Sequence, residues 1–402
     1  MTQQTIEAAS YRSGASLRGR YLLLAGIMLV ALNLRPALAS VSPLLIEIKA
    51  ALPLSAVGAR WLTTIPVLCF GIASAVAPRL GRQWGSERTV AVMMACLTAG
   101  LALRCLGVDA VLFAGTILGA AAIGVTGVLL PALFKREFPD HVGLVTGLYT
   151  MALAIGSAAA AGLTAPIERL TGTDWRVGLG TWALLPLPAL LFWLPQLRTR
   201  TAAAVRKVPS GLLRSPLAWA VTAFMGLQSA MFYAVLAWLP VILQEHGATV
   251  IESGYVLSLS VVVQIAVSPI VPVLAGRRPG QGGLAAVLLT TSLAGFLGCL
   301  YGGPLLVWPA AILLGIGQGG LFGLALMMVV LRSPDATVAA SLSGMSQSVG
   351  YCFAALGPFG AGAVRDWSGG WNGVAILFAG AVLLTFLIGL KAGAPALIGE
   401  RR

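Results

Sequence analysis

Long apolar runs separated by short polar stretches recur twelve times along the chain, near residues 20–46, 57–80, 89–107, 109–134, 141–165, 176–195, 215–243, 251–275, 284–302, 304–331, 337–363 and 372–391. An α-helix needs roughly 20 apolar residues to cross the hydrocarbon core of a bilayer. The pattern therefore predicts an all-α membrane protein with twelve transmembrane helices. No stretch between the runs could fold as a separate soluble domain. The longest connection, Gln196 to Arg214, carries Arg198, Arg200, Arg206, Lys207 and Arg214 among small residues. It reads as a solvated cytoplasmic linker, 196–214, between six-helix halves at 1–195 and 215–402.

The halves repeat each other. Pro139-Asp140 before helix 5 recurs as Pro334-Asp335 before helix 11, an offset of 334 − 139 = 195. Thr146-Gly147 recurs as Ser343-Gly344, Gly58 as Gly254, and Arg82 as Arg277, all at nearly the same offset. The common offset points to an internal duplication. Two six-helix halves in parallel repeat are an architecture of secondary transporters.

Composition agrees with a membrane chain. Of 402 residues, 58% are apolar and 10% charged, with a net charge of +13, against about 25% charged in soluble domains. That excludes a cytosolic enzyme, a disordered protein and a nucleic-acid binder. The positive charge is mostly topology. With the N-terminus inside, 19 of 26 basic residues fall on the cytoplasmic side, as basic loops do, and six outside: Lys49, Arg60, Arg104, Arg169, Arg176 and Arg365. Both termini are expected in the cytoplasm, and the first apolar run is too long for a cleavable signal peptide. The five cysteines are spaced neither as zinc ligands nor as a disulfide framework, so no metal and no cofactor is expected.

The remaining basic residue, Arg35, belongs to neither side. In Asn33-Leu34-Arg35-Pro36 it stands roughly 21 Å along helix 1 from Tyr21 at 1.5 Å per residue, near mid-membrane. An arginine there costs about 2.5–3.5 kcal/mol on insertion scales and needs a partner. All 13 acidic residues fall in loops or at helix ends. Pro36 removes a backbone donor and crowds the carbonyl four residues back, predicting a kink. Asn33, Arg35 and the kink make a candidate anion pocket; the alternative is an arginine that ties kinked-helix carbonyls to neighbouring helices. Tyr149, Thr150, Gln228, Tyr233, Gln264, Gln318, Gln347 and Tyr351 lie at similar depth and are further substrate-binding candidates. Trp61, Trp238, Trp308 and Trp367 read as an interfacial aromatic belt, and Arg104 as a side chain snorkelling to the interface in preference to lining an outward vestibule. Hydrolase and nucleotide-binding motifs are missing, so an enzyme is not expected.

These features resemble the major facilitator superfamily over essentially the whole chain, and within it the bacterial cyanate and 2-nitroimidazole transporter family. The motifs are Asn33-Leu34-Arg35-Pro36, Lys135-Arg136-Glu137-Phe138-Pro139, Ser215-Pro216-Leu217-Ala218-Trp219, and the run Leu342 to Tyr351, LSGMSQSVGY. The resemblance implies helices 1, 4, 7 and 10 around a central path and a small substrate, either a cyanate-like anion or a small neutral nitrogen heterocycle. Two departures stand out. Arg82 replaces the usual acid after helix 2, suggesting reversed cytoplasmic gating pairs, Arg82 with Asp335 and Arg277 with Asp140. Helix 5 carries Ile155-Gly156-Ser157-Ala158 instead of the Gly-Pro motif of drug/proton antiporters. The reading is a bacterial inner-membrane transporter, expected to be monomeric, whose partners are its small-molecule substrate, the lipid bilayer and protons, with Pro36 as a hinge.

Overall fold

The structure is a computed structural model that describes residues 17–52, 54–138, 142–172, 174–198, 212–334 and 336–398. Sixteen helical segments order the described chain: α1 Leu17–Leu32, α2 Pro36–Ala39, α3 Val41–Ala51, α4 Ala56–Trp84, α5 Ser86–Leu103, α6 Asp109–Glu137, α7 Val142–Thr171, α8 Trp175–Gly180, α9 Pro186–Trp193, α10 Pro216–Glu245, α11 Val250–Gly276, α12 Gly282–Tyr301, α13 Gly303–Leu331, α14 Ala336–Ala354, α15 Leu356–Ser368 and α16 Asn372–Ala392. Short 3₁₀ turns join some of them. The described residues contain no strand. A helix satisfies its own backbone groups, which is why apolar runs without water-facing edges take this form in a bilayer.

Eleven stretches among the described residues are long and apolar enough to span a membrane, so the chain is a multi-pass membrane protein. The expected eleventh helix, 337–363, is instead two segments, α14 and α15, interrupted at Ala355. Pro358 explains the break: it has no N–H to give Ala354, and its ring crowds that carbonyl. Helix starts follow local chemistry. The Ser55 side chain accepts from the Gly58 amide at 3.0 Å. Ser215 caps α10 with Pro216 at the first position, and Thr249 with Glu252 forms a reciprocal capping box on α11.

The predicted kink at Pro36 is a full interruption. Helix α1 ends at Leu32, Asn33 to Arg35 form a turn, and Arg35 caps α2. The chain tightens here, with the Asn33 amide donating to Val30 and that of Leu34 to Ala31 at 3.0 and 3.1 Å. The segment before residue 198 meets the segment after 212 mainly along two helix pairs, α4 with α14 and α7 with α11. Both pairs use small residues to bring backbones close. A side chain at Gly71 of α4 would collide with Cys352 and the Ser348 carbonyl, and one at Gly254 of α11 with the Ala161 carbonyl.

Two expectations about the outer residues are overturned. Arg104 does not snorkel: it is 2% exposed and donates through Nη1 to the Ala37 carbonyl at 2.8 Å. The interruption of α1 leaves α2 carbonyls within reach, and the arginine turns inward to them. Trp238 is not in an interfacial belt; it is buried and donates to the Pro358 carbonyl at 2.8 Å, next to the proline-induced break.

Candidate functional site

The interruption of α1 places Arg35 against α10. Its Nη1 donates to the Tyr233 hydroxyl at 2.9 Å, and its guanidinium lies 5.4 and 5.5 Å from the ring centres of Phe232 and Tyr233. Cation–π attraction of this kind is worth more where water is excluded. Tyr233, Tyr351 of α14 and Phe70 of α4 form a triangle of rings with all three centroid separations at 6.2 Å. Three separate helices thus supply one aromatic cluster beside the cation.

A cavity of about 450 Å³ begins at Arg35 and runs between α4, α6, α7, α10, α13 and α14 towards Gly127, Val330 and Ala339. Tyr149, Thr150, Tyr233, Gln347 and Tyr351 line it. Beyond the Arg35–Tyr233–Tyr351 constriction lies a smaller pocket of about 50 Å³. Its polar lining is Thr150, Ser157, Gln228, Ser229, Gln264 and Ser268, with Arg35 shared between the two spaces. Among the described residues, no carboxylate lines either one. Ser157 is 2% exposed and its hydroxyl has no hydrogen-bond partner among the described residues. Gln228 is engaged with the Met225 carbonyl at 3.1 Å and the Ser229 hydroxyl at 2.7 Å. A third hollow, about 310 Å³, is walled almost entirely by apolar side chains of α10, α12, α14, α15 and α16 and does not include Arg35.

Two candidates from the sequence face elsewhere. The Asn33 amide donates back to the Leu29 carbonyl of its own helix at 2.7 Å and lines neither space. It satisfies a carbonyl that the interruption leaves without its usual partner. Gln318 is buried in α13 outside both linings, its amide nitrogen without a partner among the described residues. Phe70, Phe232 and Ser157 were missed: two aromatics in apolar runs and one small hydroxyl offer no contrast along a sequence. Gly156, next to Ser157, held the available signal. A side chain there would strike the Leu32 carbonyl, so this glycine lets α7 close onto the interrupted helix.

At the end of the bundle away from the large cavity, the chain is cross-linked. Arg60 pairs with Asp366 at 3.4 Å, and Arg365 with Glu245 at 2.5 Å. Trp371 donates to the same Glu245 carboxylate at 2.8 Å. Trp61 packs on Phe359 at 5.2 Å, and Gln244 reaches the Pro43 carbonyl at 3.0 Å. The expected pairs at the other end lie outside the described residues: Asp140, Asp335 and the Arg82 side chain are not among them, while Arg277 caps the end of α11 and is exposed. Pro36 stands at the start of α2, where the interruption ends.

The Major Facilitator Superfamily model matches residues 23–355. The chain belongs to the Major Facilitator Superfamily. That is a class of transporters rather than enzymes. The chain is 40% identical over 376 residues to an uncharacterized transporter, YycB, of Bacillus subtilis (strain 168), covering 92% of this chain and 93% of that one. It is 35% identical to the 2-nitroimidazole transporter of Escherichia coli (strain K12), covering 94% and 96%, and 30% identical to the cyanate transport protein CynX of the same organism, covering 89% and 95%. The fold is also that of the nucleoside transporter NupG, with a TM-score of 0.74 at 14% identity over 92% of this chain and 99% of that one.

Proposed function

We propose that this superfamily member is a secondary transporter that moves a small cyanate-like anion across the bacterial inner membrane, by alternating access around Arg35. The observation that carries the reading is a cation in the cavity wall with no carboxylate among the residues lining the cavity or the pocket beyond it. A charge withdrawn from water is costly until paired, and a small anion supplies the pair. The 50 Å³ pocket suits a solute of a few heavy atoms, since a single water needs roughly 10–15 Å³ on the same measure. Ser157 and Gln264 offer it hydrogen bonds. With the cross-linked end outermost, as the basic-residue distribution predicts, the cavity faces the cytoplasm, and the halves 1–195 and 215–402 rock about the α4–α14 and α7–α11 contacts. Each negative charge entering against 100 mV costs about 2.3 kcal/mol, so uptake requires a coupled proton or cation, or entry as the neutral acid.

The aromatic triangle favours a second reading, export of a small neutral heterocycle. Phe70, Tyr233 and Tyr351 all line the cavity and offer aromatic surface against which a flat ring stacks, and the relative named for 2-nitroimidazole is similar over nearly the whole chain. Arg35 is then structural, holding Tyr233 in place. Thermal-shift binding of cyanate, nitrate, formate and 2-nitroimidazole to wild type and Arg35→Ala separates the two. Saturable stabilisation of wild type alone by anions supports the first reading. Stabilisation of both proteins by the heterocycle alone replaces it with the second.

A further inference from the structure

The third hollow takes no part in the transport reading. It holds about 310 Å³ between α10, α12, α14, α15 and α16. Helix α16 touches α10 at two places: a Cβ at Gly389 would lie 3.0 Å from the Phe224 ring, and the rings of Trp371 and Trp238 are 5.9 Å apart. Between these contacts the lining is rich in small residues. Ala223, Ala230 and Ala234 of α10, Ala361 of α15 and Ala381 of α16 all border the gap, so the larger side chains that would close such a seam are missing. The α10 lining runs from Ala223 to Ile242, mostly at spacings of three and four residues. That is one helix face about 28 Å long at 1.5 Å per residue, close to the roughly 30 Å of a bilayer's hydrocarbon core. The opposite face of α10 carries Gln228, Phe232 and Tyr233, which line the pocket at Arg35. A single helix separates the hollow from that site.

The chemistry of the lining selects the occupant. Its one side-chain N–H or O–H group is the Trp238 indole, which is already spent on the Pro358 carbonyl at 2.8 Å. Water finds no partner there, and dry apolar cavities take apolar guests. Phe353, Leu356 and Leu377 stand in the wall and are also exposed on the outside of the bundle, so in a multi-pass chain the hollow opens sideways into the bilayer. A helix from a second copy, about 10–12 Å across with its side chains, is too thick for 310 Å³ drawn out along this face. A single hydrocarbon chain is slim enough, since the volume gives room for roughly 20 water-sized groups. Filling it supplies dispersion contacts that the lining otherwise lacks. We infer that the hollow is a binding site for one acyl chain of a membrane phospholipid. The chain braces α10 from behind and so supports Tyr233 against Arg35, whatever solute the cavity carries.

The probe is phosphatidylcholine carrying bromine in mid-chain, because bromine quenches tryptophan fluorescence on contact. The full chain is reconstituted in brominated and in unbrominated vesicles, and each variant is paired with its own Trp238→Phe partner to isolate the Trp238 signal. Trp238 is buried, so lipid outside the hollow does not reach it. The Trp238 signal should lose most of its intensity in brominated vesicles. That loss should persist in Arg35→Ala and in Ile376→Phe, which alters an exposed position of α16 outside the hollow. It should largely disappear in Ala234→Phe, which fills the hollow one turn from Trp238. Ala234→Val should reduce it less, and serves if the phenylalanine variant does not fold. A Trp238 signal untouched by brominated lipid, quenching unchanged by filling the hollow, or cross-links placing a second copy of the chain over it overturns the site. Failure of the transport reading would leave the quenching in place.

Discussion

Arg35 and Arg104 flank the same interrupted helix, yet they meet opposite surroundings. Arg35 faces a cavity wall of phenol and aromatic rings and spends one hydrogen bond on Tyr233. Arg104 is enclosed among glycines and aliphatic side chains and spends one on a backbone carbonyl. A rotatable phenol can give way to a ligand, while a carbonyl fixed in α2 cannot move without the backbone. Under the proposed transport reading, the first arginine exchanges its partner for substrate and the second is an anchor. An intramembrane charge is thus defined by the mobility of its partner as much as by its depth.

The sharpest way to break this comparison is Arg35→Ala in proteoliposomes. Removing one member of a buried charged contact costs about 2–5 kcal/mol, so anion flux should fall about 30-fold or more with the protein still folded. Unchanged flux would make Arg35 an anchor too. Arg104→Ala should act on stability instead. Loss of a charge-assisted hydrogen bond to Ala37 is worth about 1.5–3 kcal/mol, visible as a lower melting temperature. Tyr233→Phe keeps the ring and removes the hydroxyl that accepts from the Arg35 guanidinium, an expected effect of at most about 1.5–3 kcal/mol, measured as a change in KM. Smallest is Glu245→Gln at the cross-linked end. It weakens a partly exposed ion pair worth about 0–1 kcal/mol while an amide oxygen can still accept from Trp371. Both partners lie in the segment after 212, so the readout is a small fall in melting temperature, with the distance between labels on α4 and α15 unchanged.

Much of the cavity wall was legible because polar side chains contrast with an apolar run. Tyr149, Thr150, Gln228, Tyr233, Gln264, Gln347 and Tyr351 all line the cavity or the pocket beyond it. Asn33 and Gln318 show the limit of that signal. An amide in a membrane helix can satisfy its own backbone or turn into a packed interface, and a linear pattern does not distinguish these from a ligand contact. Phe70 and Phe232 are the converse: Phe232 joins the site through the Arg35 guanidinium beside its ring, and Phe70 through its contacts with the rings of Tyr233 and Tyr351. Arg104 looked like an outward-pointing end residue because the α2 carbonyl it reaches is 67 positions away in sequence.

The sequence alone determined the membrane class, the all-helical form and a distortion of helix 1 at Pro36, which the structure turned from a kink into an interruption. These follow from properties that act locally or by addition: apolar length, backbone self-satisfaction and a missing N–H. The tertiary structure decided what the two arginines face, which rings close around Arg35, and which end of the bundle is cross-linked. Those outcomes depend on distances between side chains on different helices. Such distances are set by how closely Gly71, Gly156 and Gly254 let backbones approach, and no periodicity along one chain encodes them.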